Sequence, residues 1–295
     1  MDFGANWQLY EKTDLSIPAW DQFNARVLNG KPADTPLRIG TSGWSRKEYA
    51  GTLYPPGVKD DALLAEYGKL FNCVELNATH YKIYSPDAIR KWTAKVKNRD
   101  FKFCPKVPQA ISHQSTLLNA GTETAAFIES IRAFEDQLGP VFLQLSEFFS
   151  PVRKRNLYTY LESLPRDISF FVELRHPDWF NNQQEREELF NTLHQLGVGA
   201  VITDTPGRRD CLHMTLTLPK LFLRFVTKGG HPLDEVRLRE WDQRIKELKV
   251  QGVEEVYFFL HVHDGKYEAD FYKTVQSQFG LSIATPQLET QLTLF

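Results

Sequence analysis

The stretch FFVELRHPDWF, residues 170–180, carries three apolar residues straight into Glu173, Arg175 and His176. A carboxylate, a guanidinium and an imidazole this close together can move a proton and hold an anion. Glu173 and Arg175 are two apart, so on a strand both point to one side, with His176 at the rim. CVELN repeats the arrangement with Glu75 and Asn77, and FFLHVH places His261 and His263 two apart. Such groups are costly to bury unless paired. Their shared position, at the end of an apolar run, directs attention to the elements that carry them.

Apolar runs recur along the chain: LRIGTS, CVELNA, FKFCPKV, VFLQLS, ISFFVEL, GAVITD, LFLRFV and EVYFFLHVH. Helical stretches follow over 60–71, 86–97, 121–137, 151–163, 183–196, 234–249 and 267–279, with a loop over 205–218. The runs are nearly continuous in apolar character, which suits parallel strands covered on both faces. Ser85 before Pro86, and Asp234 before EVRLREWDQRI, read as helix starts. Eight runs and seven helices predict an α/β fold, a (β/α)8 TIM barrel over residues 37–280, close to the size of about 250 residues typical of that fold. A doubly wound open sheet is the alternative, but neither GxGxxG nor GxxxxGK[ST] occurs.

In a barrel the active site lies where the strands end. The ends supply, in order, Thr41, Ser42 and Trp44; Glu75 and Asn77; Lys106; Gln144 and Ser146; Glu173, Arg175 and His176; Thr203 and Asp204; Arg224; and His261 and His263. Polar groups on every strand end predict a pocket rather than a lone internal ion pair.

Composition sets the bounds. The 295 residues are 42% hydrophobic and 24% charged, with a net charge of −2, as in a globular chain with one large core. That charge gives no global reason to expect nucleic acid or a membrane surface, so either would need a local patch. No apolar run reaches membrane-spanning length and the opening residues lack a signal-peptide core, so a cytoplasmic protein without a membrane partner is expected. Cys73, Cys104 and Cys211, an odd number without CxxC, read as reduced thiols. Residues 1–36 end in the turn-rich GKPADTP. Trp7, Tyr10, Trp20 and Phe23 make that extension too apolar for a free tail, so it is expected to pack on the barrel, over its bottom.

TSGWSRKEYAGTLYPPG, FNCVELNATHY, LGPVFLQLSEFF and VELRHPDWF together resemble the YecE-like family of bacterial proteins, domain of unknown function 72, over about residues 37 to 280. The resemblance implies a TIM barrel and no assigned activity. It carries over Gly43, Trp44, Tyr54 and Pro55; Glu75, Asn77, Thr79 and Tyr81; Lys106, His113 and Gln144; and Glu173, Arg175, His176, Trp179, Asp204 and Arg224. Two departures stand out. The family's Arg-x-His-Gly after strand 7 reads RFVTKGG here, with Val226 in place of the His, and its paired Asn on strand 8 give way to His261 and His263.

Several chemistries fit. The first is acid–base catalysis by Glu75, Glu173, Asp204 or His176 on an anionic, phosphate-bearing or nucleic-acid-derived substrate, with hydrolase or phosphodiesterase-type activity. Trp44, Asn77, Tyr81, Lys106, His113, Gln144, Arg175, Trp179, Arg224 and His261 would then bind the substrate. Loop cations Arg46-Lys47, Arg153-Lys154-Arg155, Arg208-Arg209 and Lys228 support an anion, while the acidic EREE at 185–188 falls on a helix. No cofactor is required, but a divalent metal held by His261 and His263, completed by His113, His176, Glu75, Glu173 or Asp204, is an alternative. Aromatics after the strand ends, notably Phe148, Phe149 and Trp179, suit stacking on a base or sugar. A non-catalytic nucleotide or nucleic-acid binding module is therefore a further alternative. The tail, residues 281–295, closes in QLTLF. It is similar to the bacterial sliding-clamp-binding pentapeptide, with Gln291 at a pocket rim and Leu292, Leu294 and Phe295 as apolar anchors.

Overall fold

Each of the eight apolar runs forms a strand in the computed structural model, which describes residues 7–280. The strands are β1 (Leu37–Thr41), β2 (Cys73–Leu76), β3 (Lys102–Pro105), β4 (Val141–Gln144), β5 (Phe170–Glu173), β6 (Gly199–Asp204), β7 (Lys220–Thr227) and β8 (Glu255–Val262). Six of them pair in parallel in the order β1-β8-β7-β6-β5-β4, a curled sheet that makes a half-barrel. Strands β2 and β3 form a separate parallel pair.

Polar contacts stitch the two sheets together at both joints. Between β3 and β4, Gly139 N–H donates to Phe103 O at 2.7 Å and Val107 N–H to Phe142 O at 2.9 Å. Between β1 and β2, side chains take the place of a ladder. Asn72 accepts from Ile39 N–H at 2.7 Å and donates to Leu37 O at 2.9 Å, while Tyr67 Oη accepts from Thr41 N–H at 2.8 Å and donates to Cys73 O at 2.9 Å. The backbones approach so closely that a Cβ at Gly40 would lie 2.2 Å from Cys73 O, which only glycine permits.

The seven expected helices are present as α1 (Leu63–Leu70), α3 (Pro86–Lys95), α5 (Gly121–Arg132), α6 (Lys154–Glu162), α8 (Gln183–Gln195), α9 (Pro232–Gln251) and α10 (Glu268–Gln278). Single-turn helices α2 (Ala78–Tyr81), α4 (Gln109–Ser112) and α7 (Asp178–Asn181) sit just beyond β2, β3 and β5. Helix α9 starts earlier than expected. His231, not Asp234, caps it: its side chain accepts from Leu233 N–H at 3.3 Å, and the Asp234 carboxylate reaches back to His231 N–H at 3.4 Å. This capping box satisfies donors that the first turn leaves unpaired.

The described part of the N-terminal extension, residues 7–36, packs against α9. It runs along α9 from one end to the other. Tyr10 bonds Asp234 and Arg237 near the start of the helix, Arg244 donates to Ile17 O at 3.2 Å midway, and Gly30 N–H donates to Gln251 O at 3.0 Å at its end. Trp20 meets the buried Trp241 ring of α9 edge-on at 6.3 Å, while Phe23 packs against Phe190 and His194 of α8. Cys73, Cys104 and Cys211 are free thiols. Among the described residues no helix is long and apolar enough to cross a membrane. The pentapeptide of Gln291, Leu292, Leu294 and Phe295 lies outside the described residues.

Candidate active site

Inside the curl, the strands first contribute an apolar layer of Cys73, Cys104, Phe142, Phe171, Val201, Phe222, Tyr257 and Phe259. Successive inward positions on a strand are two residues apart. The next inward position along β2 to β8 is therefore Glu75, Lys106, Gln144, Glu173, Thr203, Arg224 and His261. A polar layer thus sits directly on an aromatic one, at the C-terminal ends of the strands.

Arg224 is its centre, with its guanidinium 5.6 Å from the Phe142 ring centroid in the layer beneath. Its Nε and Nη2 each donate to a Glu75 oxygen at 2.9 Å, and its Nη1 donates to Glu173 at 2.6 Å. The other Glu173 oxygen accepts from Arg175 Nε at 2.8 Å. Glu75 also accepts from Asn77 Nδ2 at 2.9 Å and from His261 Nε2 at 3.0 Å. An ionised carboxylate only accepts, so His261 carries its proton on Nε2. Burial alone would push both carboxyls up. The charges outweigh it: Arg224 and His261 hold Glu75 well below the usual carboxylate range. Arg175 and Arg224 bring Glu173 down to about 2. For His261 burial dominates and lowers the pKa despite Glu75 beside it.

Lys106 is set apart. Its side chain is 3% exposed, and Nζ donates to the neutral Gln144 Oε1 at 2.9 Å. Among the described residues no carboxylate is in ion-pair contact with it. Burial, then the neighbouring Arg224 charge, lowers its pKa to about 8. Two imidazoles lie beyond it, His80 on α2 and His113 just past α4, with rings 5.2 Å apart. Burial lowers the His80 pKa to about 4, and it also lowers that of His113, reinforced by Lys106 and Arg175. Asn77 Oδ1 and Thr203 Oγ1 are buried with no hydrogen-bond partner among the described residues. Thr203, Glu173, Arg175, Arg208 and Cys211 line a cleft with about 20 Å³ of free space, room for one water.

Not every expected residue joins this layer. Asp204 is one position out of phase and faces α9, where it pairs with Arg237 at 2.8 Å, accepts from Trp241 Nε1 at 2.7 Å and pairs with Arg209. Trp179 is fully buried and donates to Phe149 O at 2.7 Å, so its ring packs the loop instead of facing a ligand. Trp44 packs edge-on against Trp92 and Phe103 at 5.4 and 6.4 Å. His176 stays on the rim, where its Nδ1 accepts from Asp178 N–H at 3.2 Å. Tyr81 and Phe148 are 73% and 77% exposed, whereas Phe149 is buried. His261 and His263 do not chelate together. The first is held by Glu75 and the second lies 4.9 Å from the Trp7 ring, and among the described residues no three His, Cys, Asp or Glu converge as a ligand set. Sequence reasoning named Thr203 among the strand ends but gave it no role, and it passed over His80. The two-residue phase from Val201 would have singled out Thr203; His80 rests on a single-turn helix too short to leave a periodic signal.

Comparison with known proteins agrees with this architecture. The family described as "Protein of unknown function DUF72" matches residues 38–292. The UPF0759 protein YecE of Escherichia coli K12 is 28% identical over 281 residues, covering 88% of this chain and 100% of the relative. A DUF72 family protein of Enterococcus faecalis V583 superposes with a TM-score of 0.66 at 18% identity, over 86% of this chain and 100% of that one. One from Thermotoga maritima MSB8 gives 0.61 at 23% identity, over 83% and 98%. The chain belongs to the DUF72 family.

Proposed function

We propose that the two sheets close as one (β/α)8 barrel, and that the chain is an enzyme acting on a small anionic compound at its strand ends. Closure is supported by the hydrogen bonds at both joints and by the reach of Arg224, on the six-stranded sheet, across to Glu75 on β2.

The observation that carries the functional reading is the charge inventory of the polar layer. Glu75 and Glu173 are matched by Arg224 and Arg175, which leaves the Lys106 ammonium with a neutral partner. The imidazoles of His80, His113 and His261 have lowered pKa values and add no compensating charge at neutral pH. Among the described residues this leaves a surplus of one buried cation, which suits a phosphate or carboxylate. Filling space does not require such a layer, since buried ion pairs are exchangeable for apolar groups, and the aromatic layer beneath fills the same curl. The roles expected of the carboxylates change accordingly. Held ionised, Glu75 and Glu173 are weak bases and cannot donate a proton near neutral pH, so they act as fixed counter-ions. Lys106, at about 8, is the group placed to exchange a proton there.

Thermal unfolding in phosphate, pyrophosphate and a small dicarboxylate, each against chloride at matched ionic strength, tests this. Ligand at about 100 times Kd should raise Tm by roughly 5 °C. Lys106→Met should lose the shift and Asp204→Asn should keep it. Equal curves in all four salts would sink the reading.

A further inference from the structure

We infer that Lys106 is a nucleophile that condenses with the carbonyl carbon of an anionic aldehyde or 2-oxo acid to form an imine. This rests on the anionic-substrate reading above and names a substrate class for it.

The backbone of Lys106 is braced, and among the described residues no carboxylate contacts its amine. Its N–H donates to Leu76 O at 3.2 Å, its carbonyl accepts from Thr79 Oγ1 at 2.8 Å, and its backbone bridges to Phe142. Nζ therefore projects from a braced position into the polar layer, where its contact is the Gln144 amide oxygen. A lysine in contact with a carboxylate keeps its proton and is no nucleophile; one buried among other cations loses it readily. The charged and titratable groups that face Lys106 are Arg224 from β7, Glu75 from β2, Glu173 and Arg175 from β5, His80 from α2 and His113 from the end of α4. Both carboxylates among them are held by guanidinium groups.

The free amine's lone pair forms the N–C bond while the carbonyl π pair moves to oxygen. The oxygen of the resulting carbinolamine takes up protons and leaves as water as the C=N bond forms, so one water is released per imine. His113, whose imidazole pKa is lowered by burial and then by the Lys106 charge, is the group assigned to relay the proton. Arg175, whose Nε donates to Glu173, is the guanidinium assigned to the anionic end of the compound.

Reductive trapping tests the step. The full chain is incubated at pH 7 with glyoxylate or pyruvate and cyanoborohydride, digested, and mapped by mass spectrometry. The expected product is a carboxymethyl or carboxyethyl group on Lys106, formed about tenfold or more faster than on exposed Lys91, given about a tenfold gain in free amine per pKa unit. Lys106→Arg should abolish it, and lactate, which has no carbonyl, should raise the Tm of the parent chain without forming an adduct. Labelling of Lys106 no faster than Lys91 overturns the imine. A lactate shift with no Lys106 adduct from glyoxylate or pyruvate also overturns it and leaves anion binding intact. Neither shift nor adduct overturns both readings.

Discussion

Lys106 lowers the stability of its own fold at neutral pH. Its pKa falls from 10.5 to about 8 on folding, so between those values the unfolded chain binds the extra proton. The penalty is fully present below pH 8 and is relieved as pH rises to 10.5. Lys106→Met removes it. At pH 7 the variant should be more stable by up to about 3 kcal/mol, less the donor that Gln144 loses. The difference should narrow between pH 8 and 10.5, and urea unfolding at pH 7 and pH 10 measures it. A variant no more stable than the parent at pH 7 would remove the stability–function trade-off that marks this lysine as part of a site. Lys106 was legible because it ends an apolar run. The choice between Thr203 and Asp204 was not, because it depends on inter-strand register. Thr203 lies opposite Arg224 and points inward with it, whereas Asp204 lies opposite Phe225. Trp179 was misplaced for a similar reason: the single turn α7 that buries it has no sequence period.

The end of β6, helix α9 and the N-terminal extension form one unit. Asp204 joins Arg237, Trp241 and Arg209, while Arg237 also donates to Tyr10 Oη at 3.1 Å and to Val226 O at 2.8 Å. Val226 is thus tied to this outer network through its carbonyl. Asp204→Asn leaves the Arg237 guanidinium buried without its counter-charge. That should cost about 3–5 kcal/mol and lower Tm, with the anion-induced shift unchanged. If anion binding fell as far as stability, Asp204 would belong to the site after all. The span of α9 was readable from its periodicity. The burial of its charged residues Asp234 and Arg237 was not, because their partner Tyr10 lies more than two hundred positions away in sequence. The extension's need to be covered was plain from Trp7, Tyr10, Trp20 and Phe23; its path depended on Asp234, Arg237, Trp241 and Arg244, which line up only once α9 is folded.

Over the whole molecule, the eight strands and seven helices were legible because each strand is covered on both faces and each helix on one. The β1–β2 joint was not, because Asn72, Tyr67 and Gly40 make it through side chains and close approach rather than through a hydrophobic period. Arg224 on the six-stranded sheet bonds Glu75 on the two-stranded one, which ties global stability to the central ion pairs and gives the fold a particular acid sensitivity. Glu173 falls from 4.5 to about 2 on folding, and Glu75 is also well below its usual range. A carboxylate lowered by folding contributes stability that is complete above the unfolded pKa and is lost as pH falls through the folded one. The window is therefore pH 4.5 down to about 2, and Glu173 alone should contribute about 3 kcal/mol across it. Glu173→Gln should be less stable at pH 7, because Arg224 and Arg175 lose a shared counter-charge, yet its stability should fall less steeply between pH 4.5 and 3. Denaturant unfolding of both proteins across that range gives the two slopes. Parallel slopes would mean that the ion pairs at the strand ends do not couple to global unfolding, and that the layer of aromatics beneath them holds the strands together on its own.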